Sequence, residues 1–313
     1  MDIRRVQERI LNLKKEKDFC ILAHSYVKKE ILEIADKTGD SFKLSRDACD
    51  IDAGNILFCG VRFMAETAKM LNPQKKVYLA NGAAGCPMAE QFSPEGLKGL
   101  KKQYPDRTVV AYVNTTAALK EHCDVCVTSS SAVEIVSKIN NDKILFIPDP
   151  NLGAYVAEKL PQKDIKTVNG GCPIHASVTG EEAAEAKRLH PDALLLVHPE
   201  CLPEVVKQAD YVGSTSGITA FAKNSDKKEF IIGTELQIAE SLQYECPEKM
   251  FYPLSKKLVC ADMKITTLLD VLRVLEDPEK GCEVVMSAEE IERGRKCIDE
   301  MLRLGEQKKL DTN

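Results

Sequence analysis

The 313-residue sequence contains no long hydrophobic run, no extended basic block and no glycine-rich phosphate loop. No window of about 18 residues is apolar and uncharged, so we predict no membrane-spanning helix and no membrane partner. The formal net charge is −5, and no run of Lys and Arg is long enough to follow a phosphate backbone, so we predict no nucleic-acid partner. The segments GNILFCG and NGAAGC lack the glycine and lysine spacing of nucleotide-binding loops. A small anionic ligand would have to be held by local groups.

The sequence also lacks the apolar core of a signal peptide, because its first 19 residues mix acidic and basic side chains in an amphipathic helical spacing. This predicts a cytoplasmic protein, in which twelve cysteines do not form a disulfide framework. A zinc ribbon needs paired ligands two to four residues apart in two places. The chain has one such pair, Cys123 and Cys126, which we interpret as structural.

What the sequence does contain is a repeat. Cys86, Cys172 and Cys260 are 86 and 88 residues apart, and the segments between them share one pattern. In each third, an apolar run ends at a polar side chain, a hydroxyl landmark follows, and an apolar strand turns into a helix shortly before the cysteine. Any α/β chain alternates strands and helices, but alternation alone does not require the same landmarks in the same order.

The repeat predicts an α/β fold made of three similar units. We place the units at 1–85, 86–171 and 172–260, and we expect 261–313 to pack back on the first unit. Units of fewer than 100 residues are plausible small domains that bury a core by packing together. We expect the last residues, 305–313, to be frayed.

The polar landmarks fall at the carboxyl ends of predicted strands, where open α/β sheets bind their ligands. His24, Asn114 and His198 end or follow strands in the three thirds. A single residue of this kind is most simply a hydrogen-bonded strand-end cap, but the recurrence of the pattern favours a common site. The hydroxyl landmarks stand where the next helix begins, at Ser41, Ser129, Ser214 and Thr215. Such hydroxyls cap helices, and they also bind phosphates or carboxylates.

Three further side chains are candidates for proton transfer. Tyr26 and Tyr112 lie beside the strand-end residues, and a desolvated phenol can donate or accept a proton. Glu200 lies two residues after His198 and is the most attractive carboxylate for acid or base catalysis. Packing roles for the tyrosines and a solvated surface position for Glu200 are the alternatives.

The three repeated cysteines suit an iron-sulfur cluster, because three thiolates from three units can meet at one centre. A cubane cluster has four irons, so three protein ligands leave one iron open. An open iron is a Lewis acid, by the same logic as the open position of a catalytic zinc. Dehydration or carbonyl polarisation would follow from such a site.

At this level of detail the sequence resembles the quinolinate synthase family. The resemblance rests on ordered motifs over nearly the whole chain: AHSY (23–26), GDS (39–41), GVRFMAETAKMLNP (60–73), GCPMA (85–89), YVNT (112–115), TSSSAVE (128–134), PDPNLG (148–153), GCPIH (171–175), HPEC (198–201), GSTSG (213–217), GTE (233–235) and CADMKITTL (260–268).

The resemblance implies three αβα sandwich domains related by a pseudo-threefold axis around a central active-site cavity. It implies one [4Fe-4S] cluster, with Cys86, Cys172 and Cys260 as ligands. The implied activity is that of a transferase of NAD biosynthesis, which condenses iminoaspartate with dihydroxyacetone phosphate to give quinolinate, phosphate and two waters. Functional coupling to the enzyme that supplies iminoaspartate is a further expectation.

The resemblance also implies which side chains line the cavity and bind substrate: His24, Tyr26, Ser41, Tyr112, Asn114, Ser129, His175, His198, Glu200, Ser214 and Thr215. We expect the hydroxyls to hold phosphate and carboxylates. Tyr26, Tyr112, His24 and Glu200 are the predicted catalytic residues and would move protons. His175 would orient substrate or tune the cluster from beside a ligand.

Two kinds of alternative stay open from the sequence. One is another three-cysteine iron-sulfur enzyme, either a reductive dehydroxylase of isoprenoid synthesis or a diphthamide-type enzyme that cleaves S-adenosylmethionine. A redox enzyme would need an electron donor, whereas the condensation has no net electron requirement. The other is a non-catalytic cluster-bearing sensor or binding module, which would tolerate replacement of Tyr26 or Glu200.

Overall fold

The structure is a computed structural model that describes residues 2–306. Its strands form three separate sheets, one in each third of the chain. No helix within residues 2–306 combines the length and the apolar character needed to cross a bilayer.

The first sheet contains four parallel strands, each preceded by a helix. The strands are β1 (Phe19–His24), β2 (Lys37–Gly39), β3 (Asn55–Cys59) and β4 (Lys76–Leu79), and the helices are α1 (Ile3–Glu16), α2 (Lys29–Leu32), α3 (Ser41–Cys49) and α4 (Arg62–Leu71). Asp2 accepts a hydrogen bond at the start of α1, whose buried side chains recur at helical spacing, as its amphipathic sequence predicts.

The second sheet repeats this arrangement. Its strands are β5 (Thr108–Tyr112), β6 (Val125–Val127), β7 (Lys143–Ile147) and β8 (Asp164–Thr167), and its helices are α5 (Pro94–Gln103), α6 (Ala117–Lys120), α7 (Ala132–Lys138) and α8 (Pro150–Lys159). Helix α8 begins where its sequence predicts, because Asp149 caps it and Pro150 occupies its first turn.

The third sheet repeats it again. Its strands are β9 (Leu194–Val197), β10 (Tyr211–Val212), β11 (Glu229–Gly233) and β12 (Met250–Pro253), and its helices are α9 (Gly180–Leu189), α10 (Pro203–Val206), α11 (Thr215–Asn224) and α12 (Gln237–Glu245). A short 3₁₀ turn, His175–Ser177, precedes α9. Thr179 and Glu182 form a capping box that fixes the start of α9.

The remaining elements pack against the first and the second unit. They are α13 (Ala261–Lys264), α14 (Leu268–Glu276), a 3₁₀ turn (Pro278–Lys280), β13 (Cys282–Glu283) and α15 (Ala288–Glu306). Strand β13 pairs antiparallel with β4, and α14 packs on α1. Helix α15 packs against α4, and also against β6 and α6 of the second unit. The predicted unit boundaries stay a prediction, and residues 307–313 of the predicted C-terminal segment lie outside the described residues.

The four parallel strands of each sheet have the same order, and the first sheet has β13 in addition at its edge. In each, the first strand lies between the second and the third, and the fourth lies beyond the third, giving β2-β1-β3-β4, β6-β5-β7-β8 and β10-β9-β11-β12. The predicted fold of three similar α/β units is confirmed by this common topology. The chain passes from the first strand to the second on one side and then crosses to the third on the other side. The carboxyl ends of the first and third strands therefore form the switch point at which such sheets bind ligands.

The third sheet shows why its strands have continuous apolar sequences. In β9, Leu195 and Val197 pack in a cluster on one face, while Leu196 packs into the main core on the other. Ile231 and Ile232 of β11 divide in the same way. Neighbouring residues of a strand point to opposite faces, so a strand covered on both sides needs apolar residues throughout.

Candidate active site

The carboxyl ends of strands from all three sheets surround one cavity of about 100 Å³. Each unit contributes one strand-end residue, one hydroxyl and one cysteine at equivalent places. These are His24, Ser41 and Cys86 from the first repeat, Tyr112, Ser129 and Cys172 from the second, and His198, Thr215 and Cys260 from the third. The common strand order explains this convergence, since each switch point faces the same space.

Of the fourteen predicted site residues, thirteen line this cavity. Besides the nine just given, the structure places Tyr26, Asn114, His175 and Glu200 in the lining. Ser214 lies outside it, where its hydroxyl caps α11 by accepting a hydrogen bond from the N–H of Gly217 at 3.1 Å. Ser214 therefore caps a helix, and its predicted part in substrate binding stays a prediction.

The other hydroxyls do not cap helices. Ser41 is the first residue of α3, and the cap is Asp40, whose Oδ1 accepts from the N–H of Lys43 at 3.0 Å. Asp40 Oδ2 also accepts from the N–H of Ser216 near the start of α11, at 3.4 Å. The buried carboxylate of Asp40 thus already accepts hydrogen bonds from the N-termini of α3 and α11 beside the cavity. The side chain of Ser41, rather than those backbone groups, remains available to a ligand.

His24 and His198 occupy equivalent positions and have equivalent hydrogen bonds. Nδ1 of His24 accepts from the N–H of Tyr26 at 3.2 Å, and Nδ1 of His198 accepts from the N–H of Glu200 at 3.3 Å. Burial lowers the pKa of each imidazole to about 4, so both are neutral at neutral pH. A neutral imidazole that accepts at Nδ1 carries its proton on Nε2. Each ring is therefore set to donate one hydrogen bond from Nε2.

Glu200 is the buried carboxylate of the site, with 3% of its surface exposed. Its Oε2 lies 2.9 Å from Nδ1 of His175. Burial opposes ionisation, but His198, His175 and the hydrogen bonds from His175 and Tyr112 outweigh it and lower the pKa of Glu200 to about 2. Burial and the nearby Glu200 raise the pKa of Tyr112 well above its usual value. Glu200 is thus a buried anion at neutral pH.

Tyr26 is held at both its backbone and its side chain. Its hydroxyl lies 2.6 Å from Oγ1 of Thr215 and 2.7 Å from Oγ1 of Thr234, and Lys264 donates to its carbonyl oxygen at 2.7 Å. Burial raises the pKa of Tyr26 well above its usual value, so the phenol keeps its proton. Asn114 differs, because within the described part of the chain its buried Oδ1 has no hydrogen-bond partner. Because Asn114 also lines the cavity, a ligand that donates to Oδ1 would supply the missing partner.

The three cavity cysteines share a backbone feature that the sequence did not predict. Each donates its backbone N–H to a carboxylate: Cys86 to Glu90 at 3.2 Å, Cys172 to Asp149 at 3.0 Å, and Cys260 to Glu235 at 3.4 Å. Asp149 and Glu235 are fully buried. These bonds fix the cysteine-bearing loops and so direct three thiols toward one space.

The three cavity thiols hold their protons when no cation is bound. Burial raises the pKa of Cys86 to about 12 and that of Cys260 to about 11, and it raises the pKa of Cys172 well above its usual value. A metal cation that replaces the proton would make each thiol a ligand. Sγ of Cys172 also lies within 4.8 Å of ligand atoms of His175 and Glu200.

Sequence reasoning missed Asp40, Asp149, Thr234 and Glu235. All four stand inside motifs that were recognised, GDS, PDPNLG and GTE, but no spacing rule assigns them a partner. The paired cysteines lie away from the cavity lining: Cys126 lies in β6, and its Sγ is 3.3 Å from that of Cys297 in α15. Their structural role stays a prediction.

These features define a class of protein. It is an α/β protein of three sheets whose switch points face one cavity, and three thiols line that cavity. A sequence model described as quinolinate synthetase A protein matches residues 8–303. A quinolinate synthase of Thermodesulfovibrio yellowstonii is 48% identical over 275 residues, which cover 88% of this chain and 91% of the relative. One of Caldicellulosiruptor saccharolyticus is 47% identical, covering 97% and 100%, and quinolinate synthase 2 of Methanosarcina acetivorans is 45% identical, covering 96% of each.

The chain belongs to the quinolinate synthetase A family, and the predicted resemblance is confirmed.

Proposed function

We propose that this protein is a quinolinate synthase, a transferase of NAD biosynthesis that condenses iminoaspartate with dihydroxyacetone phosphate to give quinolinate, phosphate and two waters. The observation that carries the proposal is the convergence of three cysteine loops and a buried Glu200–His175 pair on one cavity, in a chain of this family. The residues of the cavity would then divide into those that hold the cofactor, those that bind substrate and those that transfer protons.

The cofactor would be a [4Fe-4S] cluster held by Cys86, Cys172 and Cys260. Two observations support the fit: the thiols come from three equivalent loops that line one cavity, and carboxylates fix those loops. With three protein ligands, the fourth iron would supply Lewis-acid chemistry to a bound oxygen or nitrogen atom.

Substrate binding would use the neutral donors around the cavity. The Nε2–H groups of His24 and His198 suit carboxylate oxygens, because hydrogen bonds to charged acceptors are strong in a desolvated site. The unpartnered Oδ1 of Asn114 suits a substrate N–H or O–H group. Ser41, Ser129 and Thr215 lie at equivalent places in the three units and would hold the phosphate and the remaining carboxylate. Neutral donors avoid the cost of burying lysines without partners.

Proton transfer would involve Tyr26, Tyr112, His24 and Glu200. The condensation removes protons from carbon and gives them to departing hydroxyl groups, so the site needs groups that can both accept and donate. The phenols of Tyr26 and Tyr112 are buried and protonated, which suits the donor role toward a leaving hydroxyl. The Glu200 anion would orient His175 and Tyr112 by accepting from both.

The small, buried cavity would also protect the reactants. Hydrolysis competes with any reaction of an imine, and excluding water suppresses it. We propose functional coupling to the enzyme that supplies iminoaspartate for the same reason. The cytoplasmic location predicted from the N-terminal sequence stays part of the proposal, because thiols must remain reduced to bind iron.

The test is quinolinate formation by anaerobically reconstituted protein from freshly generated iminoaspartate and dihydroxyacetone phosphate, without reductant or S-adenosylmethionine. We expect one phosphate released for each quinolinate formed. Cys86→Ala should abolish product, whereas Cys20→Ala, a thiol of strand β1 outside the cavity lining, should retain it. A loaded cluster without product would reject the condensation and favour the reductive or S-adenosylmethionine-dependent alternatives.

A further inference from the structure

Thr234 bridges two of the proposed active-site residues from outside the cavity lining. It follows the last residue of β11 and has 1% of its surface exposed. Its Oγ1 lies 2.7 Å from the hydroxyl of Tyr26 and 3.1 Å from Nε2 of His175. Tyr26 comes from the first unit, and His175 belongs to the turn after Cys172. One hydroxyl therefore connects parts of the site that are far apart in sequence.

The hydroxyl of Thr234 can bond to both neighbours at once, because it has one proton to donate and lone pairs that accept. Beyond His175, Nδ1 lies 2.9 Å from Oε2 of Glu200, and beyond Tyr26, the phenol oxygen lies 2.6 Å from Oγ1 of Thr215. Thr234 is thus the middle member of a chain of polar groups that runs from Glu200 through His175 and Tyr26 to Thr215. An apolar side chain at this place would leave both neighbours without this partner.

The neighbours of Thr234 explain why its position is fixed. A Cβ at Gly233 would lie 2.7 Å from Cγ1 of Val197, so glycine lets β11 lie close to β9 at this point. On the other side, Glu235 accepts from the backbone N–H groups of Gln237 and Cys260. Thr234 also has a β-branched side chain, which restricts its χ1 rotation. In GTE, Gly233 thus allows β11 to pack closely on β9, Thr234 bridges Tyr26 and His175, and Glu235 fixes the Cys260 loop.

We propose that Thr234 is a positioning residue for the condensation. Its hydroxyl sets the phenol of Tyr26 and the imidazole of His175 at a fixed separation and orientation beside the bound substrate. This inference rests on the proposed function, since it assigns Thr234 a role through Tyr26. Thr234 itself does not touch substrate, because it is absent from the lining of the cavity.

The test uses two substitutions in the cluster-loaded enzyme. Thr234→Val keeps the shape and removes the hydroxyl, and we expect kcat to fall by about 10- to 100-fold with KM changed little. Thr234→Ser keeps the hydroxyl and should stay within about threefold of the parent. The control is Thr266→Val, since Thr266 is also 1% exposed and its Oγ1 has no partner in the described part of the chain. This control should leave kcat unchanged.

Two further measurements separate positioning from general damage. If Thr234 acts partly through Tyr26, Thr234→Val should slow the Tyr26→Phe enzyme by a smaller factor than it slows the parent. A crystal structure of the Thr234→Val holoenzyme should show the Tyr26 ring displaced or in two positions, and that of Thr234→Ser should not. A parental kcat in Thr234→Val, fully additive losses, or an unmoved Tyr26 ring would overturn the inference while leaving the proposed function intact. If the parent makes no quinolinate, the proposed function fails, and the ring position still decides whether Thr234 fixes Tyr26.

Discussion

Replacing Glu200 by Gln removes the one buried negative charge that joins His175 and Tyr112. Glu200 and His175 are each 3% exposed, and the bond between Oε2 and Nδ1 is 2.9 Å. Gln has nearly the same shape, but it offers one neutral acceptor and one donor instead of two charged acceptors. One of the two partners must therefore lose its acceptor or turn around.

The expected cost follows from the kind of bond that is lost. Hydrogen bonds to a charged group contribute about 1.5–3 kcal/mol, against about 1 kcal/mol for neutral ones. If these bonds orient the reacting groups, kcat for Glu200→Gln should fall by about 10- to 100-fold. Stability should change less, because removing a desolvated charge offsets the lost bonds, and we expect a difference under about 2 kcal/mol in the free energy of unfolding.

Quinolinate formation and denaturant unfolding of the same samples would check both expectations. Glu204→Gln is the matched control, because Glu204 is an exposed carboxylate four residues further along the chain. That variant should keep the parental kcat. Unchanged turnover in Glu200→Gln would refute the role of Glu200, and a large loss of stability would show that the carboxylate is chiefly structural.

Three other predictions concern the surroundings of the site. Asp149→Ala removes a helix cap and the acceptor of a cysteine-loop N–H, so denaturant unfolding should show a loss of about 2–4 kcal/mol, against about 1 kcal/mol for Ser93→Ala, which removes a cap alone; equal losses would contradict the second role. Asn114→Leu removes a buried acceptor without a partner, so it should preserve or raise the unfolding free energy while it raises KM by about tenfold; an unchanged KM would exclude Asn114 from substrate binding. His24 and His198 have pKa values lowered from 6.5 to about 4, so the unfolded chain binds more protons between these values, and stability, fully present above pH 6.5, should fall by up to about 3 kcal/mol for each as the pH drops to 4; unfolding of His24→Gln should depend less on pH in this window.

The sequence alone was sufficient to predict the features that recur in each unit. His24, Asn114 and His198 stand at strand ends about one repeat apart, and identical strand orders bring equivalent strand ends to one place. The three cysteines follow the fourth strand or its equivalent, so their convergence has the same cause. Periodicity therefore predicted the fold and the polar groups and cysteines that recur in the cavity lining.

The sequence was insufficient where a contact depends on a loop conformation. The bonds from Asp149 to the N–H of Cys172 and from Glu235 to that of Cys260 join residues 23 and 25 positions apart. No helical or strand period connects such positions. Asp40 capped α3 in place of the neighbouring Ser41 because its carboxylate, and not the serine hydroxyl, reaches the N–H of Lys43. The contact between Cys126 and Cys297 spans 171 positions and depends on how α15 packs against β6.

In the proposed site, three equivalent loops hold one cluster where the three units meet. The direct test is to determine iron and acid-labile sulfide per chain after anaerobic reconstitution. We expect about four of each for the parent and for Cys20→Ala. We expect a marked loss of both for each of Cys86→Ala, Cys172→Ala and Cys260→Ala, with folding retained. Full iron and sulfide in any one of these three variants would contradict the account, because that cysteine would then not be a ligand.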